Sequence, residues 1–318
     1  MSAQRRAPFA IAEHSVQAGR SRQFELPISR LVTGTTVSLP VMVLHGRDDG
    51  PTIWMSAAVH GDELCGVEII RRVIGALDAR TLSGTVLAVP VVNVFGFNTG
   101  DRFLPDRRDL NRSFPGSPRG SLAGRIAHLM MTEVVARCSV GIDLHTGSDH
   151  RVNLPQIRGD MDDPQVRSLA EEFAAPLSLH AQIRDGSLRA EAANAGARVL
   201  LFEGGEADRF DEGAITAGTA GVLRAMRHLG MIAYAPESTE PTVVSRASRW
   251  MRAGRSGIAR LEVGLGDTVS HGERIVTLRD TFGKRLGSVS SRVSGMVIGH
   301  TQRPLVNRGD AVVHVAEL

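Results

Sequence analysis

The residues best suited to chemistry in this sequence form two short motifs, His60-Gly-Asp-Glu63 and, farther along the chain, Asp143-Leu-His145. Two imidazoles and one carboxylate are a ligand set for a catalytic zinc ion that keeps its fourth position open for water. Zinc bound in this way lowers the pKa of that water towards about 7 and polarises a carbonyl oxygen. A His-x-x-Glu motif alone is common by chance. The prediction of one Zn²⁺ per chain therefore depends on His145 as the third ligand and on the arginine-rich loop between the motifs.

Buried strands are expected to carry these ligands to one edge of a sheet. The apolar runs 52–59 and 140–144 lead directly into His60 and His145. Ligands at the carboxyl ends of strands are typical of an open α/β sheet. Further strands are predicted at 85–94 and 198–203, and helices at 66–78, 122–136, 164–173 and 212–229. This alternation predicts an α/β fold, with a mixed, largely parallel sheet that has helices on both faces.

The composition and the periodicity of the sequence change after Pro236. The chain of 318 residues is longer than a typical single domain. Residues 237–318 have short strands, many turn glycines and no helical period, which predicts an all-β domain after a catalytic domain at 1–236. Residues 95–120 and the segment from 146 to about 163 are predicted to be irregular. Loops of that length in a compact domain are usually functional.

The composition argues against several classes of protein. The net charge is only +3, the aromatic content is 4%, and the basic residues are scattered among acids, so nucleic-acid binding is not expected. The sequence offers neither an apolar run suited to a membrane span nor an apolar signal segment at its start. Cys65 and Cys138 lack a close cysteine or histidine partner, so a disulfide framework is not expected. A reducing compartment is thus allowed, and the cytoplasm is the predicted location.

A hydrolytic site also needs a general base near the water, and Glu203 is the preferred candidate. It ends an apolar strand and precedes two glycines that permit close approach of a substrate. Glu206 is its rival, and a structural role for Glu203 as the partner of an arginine stays open. Asp143 lies two residues before His145, so on a strand both point to the same side. It is predicted to orient an imidazole, with capping of a nearby turn as the alternative.

The loop between the two ligand motifs supplies cations. A guanidinium can form two parallel hydrogen bonds to a carboxylate, so Asn111 and Arg112 are predicted to bind a carboxylate of the substrate. Arg102 is predicted to face the oxyanion that develops during hydrolysis. An arginine run is usually a solvated surface, but here Phe103, Leu110 and Phe114 interrupt it and would fix the loop to the core.

Taken together, these motifs resemble those of the succinylglutamate desuccinylase/aspartoacylase family, a branch of the zinc carboxypeptidase A superfamily. The matching segments appear in the family's order: His60-Gly-Asp-Glu63, Arg108-Asp-Leu-Asn-Arg112 with Phe114-Pro-Gly116, Asp143-Leu-His145-Thr-Gly147, and Phe202-Glu203-Gly-Gly205. The resemblance implies a zinc carboxypeptidase-like fold and zinc on His60, Glu63 and His145. It also implies that Glu203 acts as general base and proton shuttle.

The same resemblance implies that Asn111 and Arg112 hold a substrate carboxylate and that an upstream arginine, matched here to Arg102, polarises the scissile carbonyl. Residues 237–318 resemble a biotinyl/lipoyl hammerhead domain. Such carriers attach their cofactor to a lysine at a hairpin tip. The segment Ser291-Arg-Val-Ser-Gly-Met-Val297 has no lysine, and Lys284 is the only lysine in this part of the chain. A carrier role is therefore not expected, and a lid or an oligomer contact is the preferred interpretation.

The leading hypothesis is a zinc-dependent hydrolase that cleaves the amide bond of an N-acylated amino acid or a related small acid. The alternative is a metallopeptidase of the carboxypeptidase type that trims acidic or C-terminal residues from peptides. A deacylase should have its entrance narrowed by the second domain, whereas a peptidase should have an open groove. A non-catalytic binding module would have a broken ligand set or lack the base, and neither is seen. The expected partner is a small molecule or short peptide bearing a carboxylate, and assembly into a homo-oligomer is left open.

Overall fold

The structure is a computed structural model that describes residues 6–181, 184–238 and 241–318. Its strands are β1 (Phe9–Ile11), β2 (His14–Val16), β3 (Arg20–Arg30), β4 (Thr36–His45), β5 (Asp48–Ala57), β6 (Ser83–Val89), β7 (Val140–Gly147), β8 (Arg151–Gly159), β9 (Leu177–His180), β10 (Arg198–Glu206), β11 (Val243–Ser245), β12 (Ser248–Arg252), β13 (Gly257–Leu261), β14 (Thr268–Val269), β15 (Arg274–Arg279), β16 (Arg285–Ser290), β17 (Gly295–Thr301), β18 (Leu305–Val306) and β19 (Ala311–Glu317). Its α-helices are α1 (Cys65–Ala76), α2 (Val94–Thr99), α3 (Leu122–Leu129), α4 (Pro164–Phe173), α5 (Leu188–Asn194) and α6 (Glu212–His228). A 3-10 helix spans Leu110–Arg112, and α3 continues through a π-helical turn at Met130–Val134 and a 3-10 turn at Val135–Arg137.

Most strands belong to one mixed sheet. Its strand order is β12-β19-β17-β8-β10-β7-β5-β6-β4-β3. The four central strands β10, β7, β5 and β6 are parallel, and β8 and β4 flank them in the antiparallel sense. The predicted mixed α/β fold is therefore confirmed, with the parallel pairing concentrated at the centre, where both faces are covered.

Helices cover both faces of this sheet because each of them presents an apolar stripe to it. On one face α1, α4 and α6 contribute Ile69, Phe173 and Val222 to the core. On the other face α3 and α5 contribute Ile126 and Leu188. Within the described ranges, none of these helices combines the length and the apolar character that a membrane crossing requires.

The structure corrects three of the predicted segments. The part of the chain from 146 to 163 is not an irregular loop, because β8 runs through it between β10 and β17. Some of its buried polar groups bond to distant parts of the chain: Gln156 Nε2 donates a hydrogen bond to the carbonyl of Ile298 at 3.0 Å. The strand predicted at 85–94 ends at Val89, and helix α2 occupies the start of the segment 95–120.

Residues 241–318 fold into strands, as predicted, and four of these strands form the antiparallel sheet β16-β15-β13-β18. Ile275, Val297 and Val313 belong to a separate core in this part of the chain. Strand β17 also pairs with β8, with Gly299 opposite Asn153. The β unit, which we define as residues 241–318, therefore shares hydrogen bonds with the sheet that carries the candidate site.

Candidate active site

The two ligand motifs lie at the carboxyl ends of neighbouring parallel strands. Strands β5 and β7 are paired in register up to Ala57 and Leu144. His145 is the next residue of β7, and His60 follows the end of β5 by three residues. Because the strands are parallel, the chain delivers both imidazoles to the same edge of the sheet.

A tight turn after β5 brings the third ligand into place. Ala58 has a left-handed φ of 47°. Gly61 packs so closely that a Cβ at this position would lie 2.0 Å from the carbonyl carbon of Gly96. The turn carries Glu63 across to β7, where its Oε2 accepts a hydrogen bond from the backbone N–H of Thr146 at 3.2 Å.

Both imidazoles direct Nδ1 towards the same carboxylate. His60 Nδ1 lies 2.7 Å from Glu63 Oε1, and His145 Nδ1 lies 2.8 Å from Glu63 Oε2. The three residues are only 5%, 2% and 3% exposed, in the order His60, Glu63 and His145. One ligand atom of each lies within 4.8 Å of the others. A buried donor set of this type and size fits a tetrahedral zinc ion that has one open position.

The opposite nitrogen of each imidazole contacts a second carboxylate. His60 Nε2 lies 3.2 Å from Asp109 Oδ1, and His145 Nε2 lies 2.9 Å from Asp143 Oδ2. Asp143 is itself fixed by the hydroxyl of Ser56, which donates to Oδ1 at 2.7 Å. A carboxylate on Nε2 favours the tautomer with its proton there, which leaves the Nδ1 lone pair for a metal. The predicted position of Asp143 beside an imidazole agrees with this geometry.

Asp109 is a site residue that the sequence analysis did not assign, although it lies within the Arg-Asp-Leu-Asn-Arg motif. Its Oδ1 also accepts a hydrogen bond from the backbone N–H of Asn111 at 2.8 Å, as an N-cap does. Its Oδ2 accepts one from Arg102 Nη2 at 3.1 Å. Arg102 Nη1 donates to the hydroxyl of Ser148 and lies 3.6 Å from Glu63 Oε1. The guanidinium of Arg102 therefore lies directly beside the three-residue cluster.

Asn111 and Arg112 follow Asp109 on the 3-10 helix. Asn111 is 7% exposed, and its Oδ1 accepts a hydrogen bond from the backbone N–H of Leu188 at 2.9 Å. This contact joins the loop to the first turn of α5 and leaves the Nδ2 group of Asn111 as its side-chain donor. The guanidinium of Arg112 donates to the carbonyl of Asn111. In the part of the chain that the structure describes, neither side chain forms a hydrogen bond or ion pair with the three candidate ligands.

Glu203 lies next to the cluster on the neighbouring strand. In the parallel pair of β10 and β7 it is the partner of His145, so both side chains extend from the same face. Its Oε2 accepts a hydrogen bond from Asn153 Nδ2 at 2.8 Å, and Arg158 Nη1 lies 3.6 Å from Oε1. Asn153 and Arg158 both belong to β8, so the strand that the sequence analysis missed is the one that orients Glu203.

Glu206, the rival candidate, has a different environment. It lies at the end of β10, and its Oε1 forms an ion pair with the Nε of Arg209. That contact joins Glu206 to the loop before α6. Both glutamates pair with β7, but Glu203 is the partner of the candidate ligand His145, whereas Glu206 is the partner of Gly147.

The cluster is strongly coupled electrostatically. Burial alone would lower the pKa of His60, but the carboxylates of Glu63 and Asp109 raise it above its ordinary value. The pKa of His145 is likewise raised well above its ordinary value, because its carboxylate partners outweigh burial. Burial opposes ionisation of Glu63, but the two imidazoles hold its pKa below the usual range. Burial, together with the neighbouring Glu63, raises the pKa of Asp62 to about 6. Glu63 thus stays ionised between two imidazoles that hold protons, and a metal would bind these rings in their neutral form.

We expect the substitution Asp143→Asn to weaken zinc binding by about 10- to 100-fold, because a neutral amide is a poorer acceptor for the Nε2 proton of His145. Competition with a chromogenic chelator measures the affinity. Asp163→Asn is the matched control, because asparagine also caps helices and Asp163 caps α4 away from the site. An unchanged affinity for zinc in Asp143→Asn would mean that this carboxylate does not orient the ring.

The sequence matches a known catalytic domain over the residues that build this site. Residues 49–229, more than half of the chain, match the succinylglutamate desuccinylase/aspartoacylase catalytic domain. The matched region contains all four motifs that carried the resemblance, from His60 to Glu203. The agreement therefore covers the sheet and the loops that deliver the candidate ligands.

Individual relatives extend the likeness to nearly the whole chain. The N-alpha-acetyl-L-2,4-diaminobutyric acid deacetylase of Halomonas elongata is 28% identical in an alignment that covers 92% of this chain and 90% of the relative. A crystal structure of succinylglutamate desuccinylase/aspartoacylase from Rhodobacter sphaeroides superimposes with a TM-score of 0.84 at 26% identity, covering 95% of this chain and 98% of the other. The product-bound ectoine utilization protein EutE (DoeB) from Ruegeria pomeroyi has the same fold, with a TM-score of 0.84, 22% identity and 98% coverage of both chains. The domain match and the ordered motifs together mean that this chain belongs to the succinylglutamate desuccinylase/aspartoacylase family.

Proposed function

We propose that this protein is a zinc-dependent deacylase that hydrolyses the amide bond of an N-acylated amino acid or a related small acid. The observation that carries the proposal is the convergence of His60 Nδ1 and His145 Nδ1 on the two oxygens of Glu63, at 2.7 and 2.8 Å. Membership of a family of N-acyl amino acid hydrolases supports the same reaction class.

His60, Glu63 and His145 would hold the ion, and Asp109 and Asp143 would keep the two imidazoles in position. Zinc in such a site makes a bound water more acidic and polarises the carbonyl of the substrate. The burial of the three side chains supports this assignment, because a site shielded from solvent strengthens every electrostatic interaction within it.

Glu203 would act as the general base. It takes one proton from the attacking water while the oxygen of that water bonds to the acyl carbon. When the carbon–nitrogen bond breaks, Glu203 returns the proton to the leaving amine. The products are the free carboxylic acid and the free amino acid, and Glu203 is regenerated as a carboxylate. Its hydrogen bond from Asn153 and its contact with Arg158 would hold it in line with the reaction.

The arginine-rich loop would bind the substrate. Arg102 lies 3.6 Å from Glu63, so its guanidinium can stabilise negative charge that develops on the acyl oxygen. We assign Asn111 and Arg112 to a carboxylate of the substrate, because an amide N–H and a guanidinium together match its two oxygens. Asn111 is held by α5 through Leu188, which would keep this binding group in a fixed orientation.

The β unit supports a deacylase over a peptidase. The backbone N–H of Gln302, in the turn after β17, donates to the carbonyl of His150 at 2.7 Å. His150 follows β7, which carries His145, so this turn of the β unit contacts the segment just after the ligand-bearing strand. We infer that it narrows the entrance, which would suit a small acylated acid better than an extended peptide.

The relatives' names differ in the amino acid that is released. The family name includes succinylglutamate, whose amino acid is acidic, whereas the Halomonas protein is named for a derivative of diaminobutyric acid, which carries a second amine. The proposed substrates are therefore N-acylated amino acids as a class, whichever amino acid is released.

A substrate panel tests the proposal. The zinc-loaded protein is assayed with N-acetyl, N-succinyl and N-formyl amino acids and with short glutamyl peptides, and amine release is measured. We expect hydrolysis of at least one N-acyl amino acid with a kcat/KM of at least about 10⁴ M⁻¹s⁻¹, the lower end for enzymes. Cleavage of the peptides alone would make the protein a peptidase. Stoichiometric zinc without any hydrolysis would favour the binding-module alternative.

A further inference from the structure

Gly299 of the β unit lies against the residue that orients the candidate general base. It is buried in β17, where it is the cross-strand partner of Asn153 on β8. Asn153 in turn donates a hydrogen bond from Nδ2 to Glu203 Oε2 at 2.8 Å. The side chain of Asn153 thus connects a backbone position of the β unit with a carboxylate of the candidate site.

The Asn153 side chain occupies the space next to Gly299. A Cβ placed on Gly299 would lie 2.8 Å from Asn153 Oδ1, which is too short for van der Waals contact between carbon and oxygen. It would also lie 3.2 Å from the carbonyl oxygen of Val152 and 3.6 Å from the Cβ of His314. A glycine inside a strand often marks a position that another group approaches closely. Here that group is the amide of Asn153.

The backbone of Gly299 has little freedom to move away from this contact. Strand β17 is paired on both sides, with β8 through residues 299–301 and with β19 through residues 295–300. A shift of β17 would therefore strain the backbone hydrogen bonds of two ladders, whereas the Asn153 side chain can rotate about its own bonds. A side chain at position 299 would be accommodated by a displaced Asn153 amide.

Displacement of that amide would reach Glu203. Oδ1 and Nδ2 of Asn153 are bonded to the same carbon in a planar group, so a push on one atom moves the other. The hydrogen bond to Glu203 Oε2 would lengthen or break. Asn153 is 6% exposed and Glu203 is half-buried, so water is a poor replacement for the lost donor.

We propose that Gly299 is a positioning residue for the reaction, because its lack of a side chain lets Asn153 hold Glu203 in the orientation that takes a proton from water. This inference rests on the proposed function for the role of Glu203. The β unit then takes part in catalysis through β8 rather than through contact with the substrate. Arg158, 3.6 Å from the other oxygen of Glu203, would remain in place, so the carboxylate would be reoriented rather than freed.

The Gly299→Ala variant tests this role through the separate responses of kcat and KM. We expect kcat to fall by about tenfold or more, because a small misplacement of a catalytic group is costly, while KM changes by less than about threefold. Gly287→Ala, on β16 of the same unit, is the matched control. Beyond its chain neighbours, a Cβ at Gly287 would have no atom of the described residues within 4 Å, so kcat should be unchanged. Zinc content and thermal unfolding verify that both variants are intact.

A double-mutant cycle shows whether the effect passes through Asn153. Asn153→Ala should lower kcat by a similar factor. Adding Gly299→Ala to it should lower kcat by less than about twofold further, because residues in one network do not act additively. An additive fall in the double variant would mean that Gly299→Ala acts through the fold of β17, which would overturn the proposal. An unchanged kcat in Gly299→Ala alone would overturn it as well.

A readout without turnover separates this proposal from the proposed function. Heteronuclear NMR of the zinc-loaded full chain follows the side-chain amide signal of Asn153, which is identified by its loss in Asn153→Ala. Glu203→Ala shows the signal without the hydrogen bond, and in Gly299→Ala we expect a shift in the same direction. If the signal shifts but no N-acyl amino acid is hydrolysed, the proposed reaction is wrong and the positioning role stands. If hydrolysis occurs and the signal stays at its parent position, the reaction stands and the positioning role is wrong.

Discussion

The Glu203→Gln variant should keep its zinc, and its kcat should fall by a factor of about 10² to 10⁴, which is the usual contribution of a general base. Glutamine has nearly the same shape and can still accept the hydrogen bond from Asn153, which donates to Glu203 at 2.8 Å. It cannot accept a proton from water at neutral pH. The zinc content of the variant tests whether the metal is retained. Steady-state kinetics on the best substrate of the panel measure the fall in kcat.

Glu25→Gln provides the control, because Glu25 is an exposed glutamate on β3 at the far edge of the sheet. It should leave kcat unchanged. Full activity in Glu203→Gln would remove this residue from the mechanism. A loss of zinc together with activity would instead mean that Glu203 supports the metal site through its neighbour His145.

Replacement of either imidazole should remove the metal. His60→Ala and His145→Ala each delete one of three donors, and the two that remain make a poor site for zinc. We expect the double variant to contain less than a tenth of the zinc of the parent protein after dialysis and to have no measurable hydrolase activity. Atomic emission spectrometry measures the zinc, and thermal unfolding verifies that the domain is folded.

His271→Ala is the matched control for these variants, because His271 is exposed in the β unit. It should bind one zinc ion per chain. Stoichiometric zinc in the double His60→Ala, His145→Ala protein would contradict the ligand assignment, because the metal would then be held elsewhere.

The sequence indicated the strands that bring His60 and His145 together, because these signals are local. An apolar run that ends on His60 or His145 indicates both a strand and the position of its last side chain. The start of α4 was equally clear, because Asp163 accepts hydrogen bonds from the backbone N–H of Gln165 and Val166 and Pro164 occupies the first turn. In each case the residues that begin or end a strand or helix lie within a few positions of that element in the sequence.

Strand β8 could not be predicted for the opposite reason. Its sequence contains Pro155 and several polar residues, which locally indicate a loop. Distant groups bond some of the polar atoms of this buried strand: Asn153 Nδ2 donates to Glu203 and Gln156 Nε2 donates to Ile298, whereas Gln156 Oε1 has no partner among the described residues. Likewise, the contact of Asp109 with His60 spans 49 positions of the sequence. Such pairings follow from the assembled sheet and leave no periodic signal in the chain.

The pairing of β8 with β17 has a consequence for the tendency of the molecule to aggregate. If the chain stopped at residue 236, β8 would have no partner beyond β10 along the residues where it now pairs with β17, from Arg151 to Asn153. Such a strand presents unsatisfied backbone groups and is a template for aggregation with another molecule. The β unit closes this side of the sheet, so it protects the strand that orients Glu203 from intermolecular association.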